Sequence, residues 1–267
     1  MFSLIDIFFY LLTFFISFYT YKKNLLTLNA SLLAFVIAII FYISGGPLFY
    51  TLLLTFFFSS SYMTKLKKER KKEENKIHER SGSKRDSIQV IVNSLAALIM
   101  AILYLIYKED YYIIAFCSAL AATNADTWAS EIGILSKHNP ISILRLKPVK
   151  KGISGGVTLL GLFASLLGSF LITFIYFLFN LNNLSMTILI NSLIILLAGT
   201  LGSIIDSILG DSIQAKYKDN ESEEITEKKI SNNKENELIK GYKIINNDMV
   251  NLLSSIIVSI LVVLIMK

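Results

Sequence analysis

The sequence predicts an all-α, polytopic integral membrane helical bundle of about eight transmembrane helices, a single domain over residues 1–267 with a candidate internal repeat in its second half. Three observations carry this. Hydrophobic residues make up 54% of the chain and fall in runs long enough to cross a hydrocarbon core of about 30 Å. Only three prolines occur, and alternating strands punctuated by turns are lacking, which argues against an outer-membrane barrel and leaves helices to span the bilayer. Finally, 24 of the 26 Lys and Arg residues fall on one side if the chain starts outside, the asymmetry expected of cytoplasmic loops.

The expected spans are 4–21, 25–43, 47–63, 88–107, 111–129, 156–179, 186–205 and 249–266. The first lacks a cationic lead and a small-residue cleavage site, so it reads as a retained span in a multi-pass protein of the cell membrane. Lys22-Lys23-Asn24 is short enough to make the first two spans an antiparallel pair, and Gly45-Gly46-Pro47 separates the second from the third. Three cytoplasmic loops follow, at about 64–87, 134–152 and 212–246. The first is dense in mixed charge and reads as a solvated segment lying on anionic headgroups; the third, rich in Lys, Glu and Asn, reads as a flexible or peripherally helical loop. A net charge of +6 confined to such loops serves membrane orientation, so no nucleic-acid partner is expected. Cys117 is the single cysteine, which excludes an internal disulfide and a thiolate metal cluster. His78 and His138 lie far apart in sequence and read as exposed.

Polar residues at membrane depth mark where function is concentrated, because an unpaired carboxylate in lipid costs several kcal/mol. The densest stretch is Asn124-Ala125-Asp126-Thr127-Trp128-Ala129-Ser130-Glu131-Ile132-Gly133, closing the fifth span. Trp128, the lone tryptophan, reads as an interfacial anchor. The seventh span ends similarly: Asp126-Thr127-x-x-Ser130-Glu131 and Asp206-Ser207-x-x-Gly210-Asp211 share acid, hydroxyl, two apolar residues, small residue and acid. Each is followed by a loop with Lys-Gly near its end, Lys151-Gly152 and Lys240-Gly241, and then by another span; such a repeat brings its two acidic turns together about a pseudo-twofold axis. Asp126 and Glu131 point about 140° apart on a helix and face one ligand only if the helix breaks between them. Gln89 and Asn93 share a face of span four, turned either to another helix or to a ligand, and Asn247 and Asn251 share a face of the last span. Lys151, Gly152, Ser154, Gly155 and Gly156, directly before a long apolar helix, suit an anion through free N–H groups and the helix dipole.

Carboxylates, hydroxyls, amides and lysines on one cytoplasmic rim suit phosphoryl or nucleotidyl transfer with Mg²⁺ shared between carboxylates and phosphates. The motifs Asp126-Thr127-Trp128-Ala129-Ser130-Glu131-Ile132-Gly133, Gly152-x-Ser154-Gly155-Gly156, Gly202-Ser203-x-x-Asp206-Ser207-x-x-Gly210-x-x-x-Gln214 and Asn246-Asn247-x-x-Val250-Asn251 resemble a widespread family of polytopic membrane proteins whose plant members include phytyl-phosphate kinase. Ser59-Ser60-Ser61-x-x-Thr64-Lys65 and Arg85 with Gln89-Val90-x-x-Asn93 fit the same pattern, over about residues 47 to 260. The resemblance implies phosphoryl transfer from a nucleoside triphosphate, CTP in the plant enzyme, to a polyprenyl monophosphate, and a more distant likeness to CTP-using lipid cytidylyltransferases and polyprenol kinases. Two positions depart from the family pattern: Ile153 stands where threonine is usual and Asp211 where a small residue is. On this reading Asp126, Glu131 and Asp206 are the catalytic, Mg²⁺-holding acids. The nucleotide and the isoprenoid phosphate lipid fall to Asn93, Thr127, Ser130, Lys151, Gly152, Ser154, Gly155, Gly156, Ser207, Gln214, Asn247 and Asn251. A cytidylyltransferase and, from another class, a secondary transporter are the alternatives, the latter disfavoured because the acids lie at the ends of spans.

Overall fold

A computed structural model of the chain describes residues 3–66 and 84–267; most of the charged first loop, with His78, lies outside them. Helices dominate, in the order α1 (Leu4–Lys22), α2 (Leu28–Lys65), α3 (Ser87–Tyr107), α4 (Asp110–Gly133), α5 (Leu159–Phe179), α6 (Met186–Ser212) and α7 (Asn247–Met266). Their starts follow capping chemistry. Ser3 and Asp86 form capping boxes with Asp6 and Gln89, and Thr27, Thr158, Ser185 and Asn246 each accept a first-turn N–H.

The expected second and third spans form one 38-residue element with non-helical backbone at Gly45 and Gly46, the latter at φ 62°, where a side chain would be strained. The chain reverses there. Leu26 and Phe57 line one cavity, whereas a straight helix would hold them about 45 Å apart. Phe41 and Phe49, one on each arm, close on Phe116 of α4, the second stacked at 3.8 Å. Counting both arms of α2 gives eight α-helical segments among the described residues, the number expected of the bundle.

Six helices among the described residues are long and apolar enough to cross a membrane, and α4, the expected fifth span, is not one of them. It has no need to be. α4 packs against α2, α3, α5, α6 and α7, and Ile114 to Ala125 are buried without a break, so protein rather than lipid surrounds it. Cys117 is a free buried thiol in this core, and His138 is exposed.

The sixth expected span starts late: residues 156–157 form strand β2 (Gly156–Val157), paired antiparallel with β1 (Ile141–Ser142), and the helix begins at Leu159. The 212–246 segment is also not the loop expected. It folds as β3 (Lys216–Lys218), β4 (Ile225–Thr226), β5 (Ile230–Ser231), β6 (Lys234–Glu235) and β7 (Glu237–Lys240), with β3 central in a three-stranded sheet and β5–β6 a hairpin. Asn232 and Asn233 turn that hairpin with φ 48° and 63°, the backbone two-residue turns demand and asparagine tolerates.

Candidate active site at the polar end of the bundle

Close helix contact sets up the acid pair. A Cβ on Gly202 of α6 would lie 2.4 Å from the Ala122 side chain of α4, and one on Gly199 would lie 2.6 Å from that of Ala121. Small residues on both sides therefore let the two backbones approach. About one turn farther along, Asp126 and Asp206 face each other within hydrogen-bond reach. Asp206, 9% exposed, also accepts from Ser254 Oγ at 3.3 Å and from the Asn251 amide at 3.0 Å. The acidic turns of the two half-motifs thus meet.

The pair opens into a cavity of about 520 Å³ where α2, α4 and α6 end and α3, α5 and α7 begin. Every candidate residue lines it: Asp126, Thr127, Ser130 and Glu131 from α4; Asp206 and Ser207 from α6, with Gln214 just beyond; Asn93 from α3; Asn247 and Asn251 from α7; and Lys151, Gly152, Ser154, Gly155 and Gly156 from the connection before α5. Gln89 lines it too, which turns the Gln89–Asn93 face toward the cavity. α4 stays unbroken although Asp126 and Glu131 both reach this space. The cavity wraps the helix end: lining residues from Asp126 to Ile134 cover about 200° of its circumference at about 100° per residue.

Within the cavity the three expected metal acids separate. Asp126 and Asp206 form the pair, while the Glu131 charge acts on Arg85, and no cluster of three or more His, Cys, Asp or Glu side chains is gathered among the described residues. Burial lowers the Arg85 guanidinium to about 10 against the opposing effect of Glu131, so it stays charged near neutral pH. Two facing carboxylates fit Mg²⁺, which commonly takes one or two from a protein and the rest of its oxygens from phosphates and water. Gln214 gives a second sign of a ligand: its side chain is 1% exposed, and neither amide atom has a hydrogen-bond partner among the described residues.

The glycine turn differs from its expected form. It is separated from α5 by β2, and the first-turn N–H of Gly161 is capped by Thr158 Oγ1 at 3.0 Å, so the helix dipole is not aimed through the turn. Gly152 and Gly155 have φ near +84°, and the Ser154 N–H donates to the Glu227 carboxylate at 2.8 Å. An anion does sit on this turn, and the chain supplies it. Lys151 Nζ donates to Ser136 O at 2.7 Å, just past α4, as Lys240 Nζ donates to Asp211 O at the end of α6, a correspondence between the half-motifs beyond their sequences.

Sequence reasoning missed Glu227, Lys229 and Lys243, cavity residues carried by the segment read as flexible. The Asn-Asn hairpin signal was the available clue. Asp211, aligned with Glu131 in the repeat, stays out of the cavity. Its carboxylate takes Ser142 Oγ, the Leu144 N–H, Arg145, Lys216 and Lys240, pinning β1, β3 and β7 to the end of α6. Trp128 is half-buried rather than a free anchor: its ring packs where Gly168 leaves space, and its indole N–H finds no partner among the described residues.

Residues 11–259 match the family model described as "Integral membrane protein DUF92". Protein PGR of Arabidopsis thaliana is 31% identical over 266 residues, covering 92% of this chain and 91% of its own. Uncharacterized membrane protein MJ0933 of Methanocaldococcus jannaschii is 32% identical over 177 residues, 66% of this chain and 60% of its own. No solved structure matches significantly. A family match over nearly the whole length, with a plant relative of the same extent, places this polytopic chain in the DUF92 family of integral membrane proteins.

Proposed function

We propose that the protein is a nucleoside-triphosphate-dependent kinase that converts a polyprenyl monophosphate, such as phytyl or geranylgeranyl phosphate, to the diphosphate at the cytoplasmic face of the cell membrane, with CTP as donor. The observation that carries this reading is the meeting of Asp126 and Asp206 in one polar cavity at the end of a membrane bundle. Facing acids are costly without a cation, and a triphosphate brings the oxygens that complete its shell. Mg²⁺ held by Asp126 and Asp206 supplies charge neutralisation to the triphosphate when bound. Lys151, Lys229 and Lys243 line the same space for phosphate oxygens, and the unpartnered Gln214 amide offers one donor and one acceptor edge to a nucleotide.

The acceptor chemistry suits a cavity whose lining, among the described residues, contains no histidine. A phosphate monoester has a second pKa of about 6 and is already ionised near neutral pH, so no general base is required. Its oxygen attacks the γ-phosphorus as the bond from that phosphorus to the β-bridging oxygen breaks. The nucleoside diphosphate leaves, and no proton needs to move.

Purified protein in detergent and lipid, given Mg²⁺, geranylgeranyl phosphate and each nucleoside triphosphate, is expected to yield polyprenyl diphosphate and nucleoside diphosphate by mass spectrometry, with neither product from Asp126→Asn. Pyrophosphate with a CDP-lipid would move the assignment to a cytidylyltransferase, and absence of turnover with every nucleotide would reject the kinase. Gln214→Leu is expected to raise the nucleotide KM about tenfold, the worth of one or two hydrogen bonds, with Tm unchanged or higher, because the amide it removes is unsatisfied in the protein. A Tm that falls with KM unchanged would make Gln214 structural.

A further inference from the structure

A second cavity, about 60 Å³, lies between α1, both arms of α2 and the start of α3, and its walls are apolar, with Ile37, Leu53 and Phe57 prominent. Three of the hydroxyls around it are engaged by backbone carbonyls. Thr13 Oγ1 donates to Phe9 O at 2.7 Å, Thr20 Oγ1 to Ser17 O at 2.8 Å and Ser94 Oγ to Val90 O at 2.6 Å, leaving methyl and methylene surface inside. Arg85, Gln89 and Asn93 line this cleft and the polar cavity alike. One space is apolar, the other polar, and a cation stands at their junction.

That cation is held in place. The Arg85 N–H donates to Leu25 O at 3.0 Å and its carbonyl accepts from the Thr27 N–H at 3.0 Å, which fastens its backbone to the turn between α1 and α2. Its guanidinium lies 6.0 Å from the centre of the Phe56 ring, itself part of the cleft wall. A planar, permanently charged fork fixed at such a junction matches a phosphate whose substituent is apolar.

We infer that the cleft between α1, α2 and α3 seats the apolar chain of a single-chain lipid monophosphate, whose phosphate docks on Arg85 and faces the polar cavity. This rests on the kinase reading for its chemistry and adds the place and the chain. At about 10–15 Å³ per water-sized group, the cleft takes roughly four to six groups, about one isoprene unit, and the remainder of the chain runs on among the helices. Two acyl chains exceed it. Entry at Arg85 brings the acceptor phosphate to the border of the polar cavity, where Gln89 and Asn93 also line both spaces.

The test is photolabelling of the full-length protein with a prenyl monophosphate carrying a diazirine on its first isoprene unit, without nucleotide. Adducts are expected on the 34–38 and 53–57 segments, removed by excess geranylgeranyl phosphate and weakened about tenfold or more in Arg85→Gln. Ala34→Phe, which fills the cleft, is expected to block labelling and raise the lipid KM while leaving the nucleotide KM unchanged. Adducts on α5 or α7 instead, or labelling that unlabelled lipid phosphate does not compete, would overturn the inference. Because labelling needs no turnover, the two readings separate: competed adducts in the cleft of a protein without kinase activity would keep the site and reject the kinase, and a working kinase labelled elsewhere would do the reverse.

Discussion

Asp206→Asn is expected to cut polyprenyl-phosphate turnover by about a thousandfold while making the Mg²⁺-free protein more stable. Both effects come from one piece of geometry. The Asp206 carboxylate faces that of Asp126 in a site where it is 9% exposed, with Glu227 near enough for its charge to be felt. Acids so placed repel one another, and neutralising one relieves that repulsion. Asparagine keeps an oxygen for Ser254 and needs only a local adjustment toward Asn251, so the hydrogen bonds to α7 survive in kind. What it loses is the charge that holds a divalent cation against transferring phosphate, where one preorganised electrostatic contact is worth about 10²–10³ in rate. The two effects are read by product formation and by thermal unfolding in detergent with and without Mg²⁺. Wild-type Tm is expected to rise with Mg²⁺, as for any ligand that binds only the folded state, and the Asp206→Asn Tm is expected not to. A variant that loses both activity and Tm would instead mark Asp206 as a helix-packing residue.

The parts of this site that were legible in the sequence are those where lipid makes polarity expensive. Asp126, Asn93, Asp206 and Asn251 stand out because each interrupts an apolar run, and a residue that pays such a penalty has few reasons to be there other than a shared polar space. The same logic took 111–129 for a span like the others, whereas α4 falls short of a membrane-crossing composition and a ring of neighbouring helices removes the need for apolar surface. What could not be read was chemistry imported from outside the helices. Glu227 and Lys243 lie just beyond short strands whose two to four residues are too few for a period-2 signal, in a composition that resembles a solvated loop. Arg85 was visible as a motif residue, but its place between two cavities depends on backbone bonds to Leu25 and Thr27, some sixty residues earlier. The repeat misled at one position, aligning Asp211 with Glu131; the family pattern already set Asp211 apart, and packing gives the reason, since Asp211 serves the sheet and Glu131 lines the cavity.

Asp211→Asn is therefore expected to damage stability more than chemistry, by about 3–5 kcal/mol, the usual cost of leaving buried charge without its partner. Asp211 is 1% exposed and Lys216, 3.8 Å away, is 4% exposed; Lys240 at 3.2 Å and Arg145 at 3.4 Å share the same oxygen. Asparagine retains an acceptor oxygen for Ser142 and Leu144, but its amide nitrogen replaces the oxygen that accepts from Arg145 and Lys240, so the charge is lost together with those two hydrogen bonds. Lys216 decides the pH dependence. Burial lowers its pKa below the usual lysine value and Asp211 opposes that shift, so removing the acid lowers it further. Between the folded and unfolded values the unfolded chain binds the extra proton, and stability rises with pH there. The deficit of Asp211→Asn relative to wild type is thus expected to be largest near neutral pH and to shrink as the solution is made alkaline, because the buried ammonium can then shed its charge. Unfolding in detergent across that range measures it directly. A deficit that stays constant with pH would shift the loss onto Lys240 and Arg145, which are better solvated. The same variant reports on the site at one remove: Lys216 Nζ donates to Ser154 O at 2.8 Å, so a lysine that swings out to water frees the glycine turn from the sheet. Nucleotide KM is then expected to rise with turnover at saturation retained, which separates this residue from Asp206, whose loss no nucleotide concentration restores.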